Sequence, residues 1–189
     1  MPYRETTARL AAYRREIAAL RDKMRALQAS VEPEAVADYQ LAGQDGPVRL
    51  SQLFGDKDTL FVIHNMGKTC PNCTMWADGF NGVLPHLENR AAFVVTSPDD
   101  PATQAAFAAA RGWRFRMLSH QGTDFAADMG YRGEAGWLPG VSVFRRDGDR
   151  ILRVSDQRLE PGDDLCAVWH FFDMIPEGPA GWRAKCAYN

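Results

Sequence analysis

The sequence predicts an α/β protein: a mixed central β-sheet covered by helices on both faces, with a helical extension at the N-terminus. Three observations predict it. Thr59 to Asn65 and Ala92 to Thr96 are short, largely apolar runs, as strands buried on both faces are. Each leads into a helical stretch, so strands and helices alternate along the chain. Two pairs of short strands, at residues 38–50 and 141–154, flank turn-rich loops, and such antiparallel hairpins belong at the ends of the sheet.

Taken in order, residues 7 to 31 read as one helix. Leu10, Tyr13, Ile17, Leu20, Met24, Leu27 and Val31 recur in steps of three and four, a heptad stripe. Thr6 or Thr7 can cap its start, and Pro33 helps to stop it. The stripe suits either packing on the same chain or a seam between two copies. Residues 38 to 50 form a hairpin around Gly43-Gln44-Asp45-Gly46, and Ser51 to Phe54 reads as a helical turn. After the strand at Thr59, a helix runs from Cys73 to about Leu87, kinked or broken by Gly79, Gly82 and Pro85. The second buried strand leads to Pro101, well placed to open a helix that Gly112 ends. Phe115 to Leu118 reads as a short strand and Asp124 to Met129 as a helical turn. The second hairpin turns about Asp147-Gly148. A last helix spans Pro161 to Asp173, and the Gly- and Pro-rich tail is irregular. The organisation expected is therefore an N-terminal helix over 1–33, one domain over 34–175 and a tail over 176–189.

Composition narrows the function. A formal net charge of −2 with no long Lys/Arg block gives no support to nucleic-acid binding, and no apolar run approaches a membrane span. The charged start Met1-Pro2-Tyr3-Arg4-Glu5 does not resemble a secretory leader, which leads to the expectation of a cytoplasmic protein. Thiols are held reduced there, so four cysteines are not expected to form a structural disulfide framework.

The chemistry concentrates at Cys70-Pro71-Asn72-Cys73, a C-x-x-C where a strand gives way to a helix. The spacing puts both sulfurs within one helical turn, and the first sits at a helix N-terminus, where unsatisfied N–H groups stabilise a thiolate. Cys70 is the expected nucleophile and Cys73 the resolving thiol. Half of a zinc site has the same spacing, and Cys166 with His170 would be the other half. His64, if it faces Cys73, can take up and return the proton of the resolving thiol; the alternative is a strand histidine bonded for structural reasons. Trp76, Asp78 and Phe80 are candidates to line the approach to the sulfurs, or core. No cofactor is called for.

The element order, the C-x-x-C and Leu138-Pro139-Gly140-Val141-Ser142-Val143-Phe144 together resemble thioredoxin-like proteins. The closer resemblance is to a bacterial family of unknown function, family 899, whose members are often labelled predicted dithiol–disulfide oxidoreductases. It rests on Cys70 to Gly82, Ser97-Pro98, Arg111-Gly112-Trp113, Pro139 to Gly148 and the Ile175-Pro176-Glu177-Gly178 ending. The resemblance implies a thioredoxin-like fold and a cis-proline at Pro139, with Leu138, against the disulfide. It also implies that His64, six residues before Cys70, stands where thioredoxins place a buried acid. This chain departs from thioredoxin in having Thr69 before the pair, Trp76 after it and an Asp-Gly-Phe-Asn-Gly segment. Residues 97 to 131 look more like alkyl hydroperoxide reductase and redoxin relatives.

These readings combine into a dithiol–disulfide oxidoreductase acting on a disulfide-containing protein or small-molecule thiol, with electrons from another thiol system. A peroxiredoxin-like thiol peroxidase is the enzymatic rival. A dimeric redox-sensing module is the non-enzymatic one.

Overall fold

A computed structural model describes residues 2–188. The chain forms two compact units, Met1–Pro33 and Glu34–Asn189. The first is helix α1, Tyr3–Ala29. It starts earlier than Thr6 because the fixed, extended backbone of Pro2 serves as its N-cap. Thr6 and Thr7 lie inside the first turn, where their hydroxyls donate to the carbonyls of Pro2 and Tyr3 at 3.3 and 2.9 Å. The apolar stripe is exposed along its length, from Leu10 to Leu27.

The second unit opens with strand β1 (Glu34–Val36), which is too short to show a strand period in the sequence. The hairpin β2 (Gln40–Gly43) and β3 (Gly46–Arg49) follows, then a 3-10 turn at Leu50–Phe54 and strand β4 (Thr59–His64). Next come α2 (Pro71–Arg90), β5 (Ala92–Ser97), α3 (Pro101–Arg111), β6 (Arg116–Ser119) and the short α4 (Phe125–Asp128). A two-residue pair, β7 (Arg132–Gly133) and β8 (Gly136–Trp137), precedes the long hairpin β9 (Gly140–Asp147) and β10 (Arg150–Arg158). Helix α5 (Ala167–Phe172) closes the order.

Eight strands make one sheet, ordered β1-β10-β9-β4-β5-β6-β2-β3. β4, β5 and β6 are parallel at its centre, and β9 runs antiparallel to β4. The hairpins flank this centre as the sequence predicts, with β1 added outside β10. The β9–β10 turn is Gly148-Asp149, one residue later than expected; Gly148 supplies the positive φ that the first central position of such a turn demands.

Strand alternation separates two cores. Leu60, Val62, Val94 and Leu118 meet Phe125, Tyr131 and Phe144 on one face. Ile63, Phe93 and Val95 meet Cys73, Trp76 and Phe80 of α2 on the other. Burying each large side chain of this kind stabilises the fold by about 1.5–3 kcal/mol.

Two helices differ from expectation. α2 runs unbroken past Pro85. A proline leaves the carbonyl four residues back without its helical donor. Here that carbonyl, Asn81 O, accepts from Arg114 Nη2 at 3.1 Å. The Asn81 side chain also takes the N–H of Arg114 at 2.8 Å and donates to Gly112 O at 3.1 Å. α5 is shorter than the span from Pro161, because the Asp163 carboxylate accepts from the backbone N–H groups of Glu160 and Leu165 and holds a turn there. Beyond Pro176 the described residues form no regular element, but Trp182 packs its ring against Trp169 and Phe172.

Candidate thiol active site

Asn65 leaves β4 with its N–H on Thr96 O, and its side-chain oxygen accepts from Gly67 N at 2.8 Å. Gly67 adopts φ +104°, and a Cβ there would lie 3.1 Å from Asp99 Oδ2. The positive φ calls for glycine, and a side chain there would crowd Asp99. Asp99 in turn accepts from Lys68 N at 2.7 Å. This turn delivers Cys70 to the N-cap of α2, with Pro71 at the first helical position.

Cys70 caps the helix with sulfur. Its Sγ accepts from Cys73 N at 3.2 Å, as an N-cap oxygen would. A hydrogen bond from the Cys73 thiol, with those from the backbone, outweighs burial and lowers the Cys70 pKa to about 7. The same bond, together with burial, pushes the Cys73 thiol well above its ordinary range. Cys70 is half-buried, whereas Cys73 is 3% exposed and faces the α2 core. Met66 N lies 3.5 Å from Cys73 Sγ and donates towards it. Both thiols are free. The arrangement is therefore a reduced, asymmetric dithiol: an accessible sulfur ready to ionise beside a sheltered one that holds its proton.

Of the other expected site residues, His64, Trp76 and Pro139 share a crevice with Cys73, Phe80 lies in the same core as Cys73, and Asp78 and Leu138 are engaged elsewhere. His64 alternates with Leu60 and Val62, so its ring lies on the sheet face opposite the Cys73 side chain. It stacks on Tyr131 at 3.9 Å and Phe125 at 5.5 Å, and Nε2 meets Ser142 Oγ at 2.9 Å. Burial, then the charges of His120 and Arg153, hold its pKa well below the ordinary value. His64 is thus a neutral core ring bonded to Ser142. At the strand end it lines a crevice together with Cys73, Trp76, Pro139 and Leu159.

The expected cis bond before Pro139 is absent: the described residues contain no cis peptide. Leu138 N bonds Tyr131 O, Pro139 O accepts from Leu159 N, and Gly140 enters β9 beside His64, so the extended trans path satisfies the backbone. Leu138 packs into the core on the His64 face. Trp76 is buried, with its indole N–H unpartnered. Phe80 packs on Phe93 and lines an apolar cleft of about 380 Å³ with Phe61, Ile63, Val83 and Leu165. The Asp78 carboxylate is held by Arg111, whose Nε is at 3.0 Å, and by Trp113 Nε1 at 2.8 Å. It braces α2 against the end of α3.

Zinc ligation is not assembled. Among the described residues no three His, Cys, Asp or Glu are placed to hold a metal ion. Cys166 is buried in the α2-face core, and His170 pairs with Asp164 at 3.6 Å. Sequence reasoning missed Met66, Thr74 and Asp99, which shape the turn, and the placement of Arg111 and Cys186 beside it. Thr74 Oγ1 donates to Cys70 O at 3.0 Å and lies 3.9 Å from Cys186 Sγ. Only chain topology brings the last two close, and no local pattern signals it.

Comparison with known proteins agrees with this chemistry. A family model described as "Bacterial protein of unknown function (DUF899)" matches residues 3–186. Two Mycobacterium tuberculosis proteins, from strains CDC 1551 / Oshkosh and H37Rv, bear the name "Putative peroxiredoxin". Each is 35% identical over 122 residues, 62% of this chain and 79% of the relative. The crystal structure of peroxidoxin BcpB from Mycobacterium tuberculosis is similar with a TM-score of 0.56 at 29% identity, covering 80% of this chain and 97% of that one. The bacterioferritin comigratory protein of Xanthomonas campestris shares the fold, with a TM-score of 0.58 at 19% identity over 69% and 87% of the two chains.

Proposed function

The chain belongs to the DUF899 family of bacterial proteins and is an oxidoreductase of thiol chemistry, and from that premise we propose that it is a dithiol–disulfide oxidoreductase cycling Cys70 and Cys73. The observation that carries the reading is the convergence of the Cys73 N–H and thiol on Cys70 Sγ. With its pKa near 7 instead of the ordinary 9.0, roughly half of Cys70 is thiolate at neutral pH, against about one part in a hundred for the unperturbed thiol.

The cycle balances without a cofactor. The Cys70 thiolate attacks a substrate disulfide, forms a mixed disulfide and expels one thiolate. Cys73 gives up its proton to that leaving group and attacks Cys70 Sγ. The second substrate thiolate departs, leaving a Cys70–Cys73 disulfide. Two electrons have passed to the substrate, and an external dithiol restores the pair. Ionisation of Cys73 becomes easier at this stage, because Cys70, now in a disulfide, no longer bears the charge that opposes it. A reducing cytosol would keep the starting dithiol intact.

A second reading, hydroperoxide as the oxidising substrate, is favoured by the peroxiredoxin relatives. Cys70 would then attack the peroxide to give a sulfenic acid and an alcohol or water. Cys73 would condense with it, releasing water. The exposed α1 stripe supports one further element, a homodimer joined through that helix.

The test is to mix reduced protein with a small disulfide or with hydrogen peroxide, quench by alkylation and follow the pair by mass spectrometry. Wild type is expected to form a reversible Cys70–Cys73 disulfide and Cys70→Ser none. Full activity in Cys70→Ser overturns the proposal, and the faster oxidant identifies the substrate class.

A further inference from the structure

The loops that follow β4, β5 and β6 are tied into one edge. Asn65 N donates to Thr96 O at 2.8 Å and His120 N to Ser97 O at 3.1 Å. Asp99 accepts from Lys68 N at 2.7 Å. The edge therefore carries Cys70 after β4, Asp99 after β5 and His120 after β6. It is the carboxyl end of parallel strands, where α/β sheets receive ligands.

The β7–β8 hairpin stands on the same edge. Trp137 is two residues before Pro139, which lines the crevice with Cys73. Its ring meets that of His120 edge to face at 4.5 Å. Directly opposite on β7, Arg132 lays its guanidinium over the Trp137 ring at 4.6 Å. His120 is 2% exposed and its Nδ1 is unpartnered, so the ring beneath Trp137 is enclosed while Arg132 itself is exposed.

Charge is uneven along this edge. Lys68, two residues before Cys70, and Arg132 are exposed, and neither forms an ion pair among the described residues. The acids of the β5 loop are engaged: Asp99 by Lys68 N and Ser97 Oγ, Asp100 as the cap of α3 through Thr103 N. Arg111 is held by Asp78 and Cys186 O, and Cys186 occupies the flank of the dithiol turn at Lys68 O and Thr74 Oγ1. The flank at Pro139 leads to Trp137 and Arg132. A guanidinium laid flat on an aromatic ring keeps its in-plane N–H groups for a forked acceptor such as a carboxylate.

Resting on the Cys70–Cys73 cycle, we propose that Arg132 on Trp137, together with Lys68, binds a carboxylate of the molecule that reaches Cys70, so that the substrate class is a carboxylate-bearing peptide disulfide. The two cations hold the substrate by charge and take no part in the electron transfer.

Glutathione disulfide, which bears carboxylates, and its tetraethyl ester, which bears none, are compared as oxidants of the reduced protein. Wild type is expected to favour the acid in kcat/KM. Arg132→Gln should lower the acid-to-ester ratio by about tenfold, chiefly through KM, as loss of one charge-assisted hydrogen bond does. Arg132→Glu should lower it further. The ratio cancels any change in the Cys70 thiolate, which acts on both compounds alike. S-methylglutathione, which has no disulfide to exchange, reads binding alone by calorimetry, and should bind the wild type and not Arg132→Glu. An acid-to-ester ratio unchanged in both variants, or S-methylglutathione held equally by wild type and Arg132→Glu, overturns the site and leaves the cycle standing. Wild type that reduces neither disulfide but binds S-methylglutathione through Arg132 overturns the cycle and leaves the site.

Discussion

The backbone N–H of Cys73 points at the sulfur of Cys70 from 3.2 Å, so one thiol is at once the cap of α2 and the atom that ionises. The Cys73 thiol is the largest cause of the shift that brings Cys70 to about 7. The rate of Cys70 alkylation by iodoacetamide should rise with pH through a midpoint near 7 and level off above it. In Cys73→Ala the thiol donor is lost while the backbone donors remain. The midpoint should move up towards the ordinary 9.0, as the burial that opposes ionisation then faces only the backbone donors. A midpoint unmoved by the substitution would show that the helix terminus alone tunes Cys70.

His64 and His120 make an acid-sensitivity prediction. Both are buried and held neutral, His64 with its pKa well below 6.5 and His120 with its pKa at about 4, in each case by desolvation first. The unfolded chain binds protons at both as pH falls through 6.5, and the native state does not. Their contribution is therefore complete above pH 6.5 and is lost as pH drops from 6.5 towards the folded values. Each histidine adds at most about 1.4 kcal/mol per pH unit to the slope. Urea midpoints between pH 7 and 4.5 should fall accordingly, and His64→Phe, which keeps the stacking on Tyr131, should flatten the fall. Turnover of that variant from pH 6 to 9 should track the wild type, because the ring is neutral throughout that range. A distinct alkaline or acid limb in the variant would return His64 to the proton path.

What the residues disclosed and what they concealed divides along the range of the interactions. β4 and β5 were readable because both faces are buried and the apolar runs are continuous, and the C-x-x-C at the end of β4 located the chemistry directly. His64 could not be assigned a face from spacing, since a strand end offers either one. Asp78 reads as a candidate to line the approach to the sulfurs, and its pairing with Arg111, thirty-three positions away, has no local signal. Pro139 inherited an isomer from the resemblance that the local backbone bonding here does not require. The place of Cys186 beside the dithiol turn was not legible, because it depends on the path of an irregular segment fixed by Arg111 and by aromatic packing at Trp182.

The α1 stripe gives a separable prediction. Leu10, Ile17, Leu20, Met24 and Leu27 are each at least 45% exposed. A heptad seam between two copies would bury them, and a charge at its centre would be opposed by desolvation. Leu20→Lys should reduce the solution mass, measured by light scattering, from two chains to one at micromolar concentration. The thermal transition of Glu34–Asn189 should stay within a few degrees, since both cores lie inside that unit. An unchanged mass in Leu20→Lys and Ile17→Lys dismisses the seam.

Pro85 and Arg114 should be coupled, although 29 positions separate them. Pro85 deprives Asn81 O of its helical donor, and Arg114 Nη2 replaces it at 3.1 Å. Arg114→Ala leaves that carbonyl to water and should destabilise the protein by about 1 kcal/mol, the net worth of one such bond. Pro85→Ala restores the N–H, and α2 can then close its own ladder. In that background Arg114→Ala should cost less. The two changes in urea unfolding free energy should therefore fail to add by about 0.5 kcal/mol or more. The Arg114 N–H to Asn81 Oδ1 bond survives in every variant because it comes from the backbone, so the difference reports the guanidinium alone. Strict additivity would mean that α2 passes Pro85 without help from Arg114.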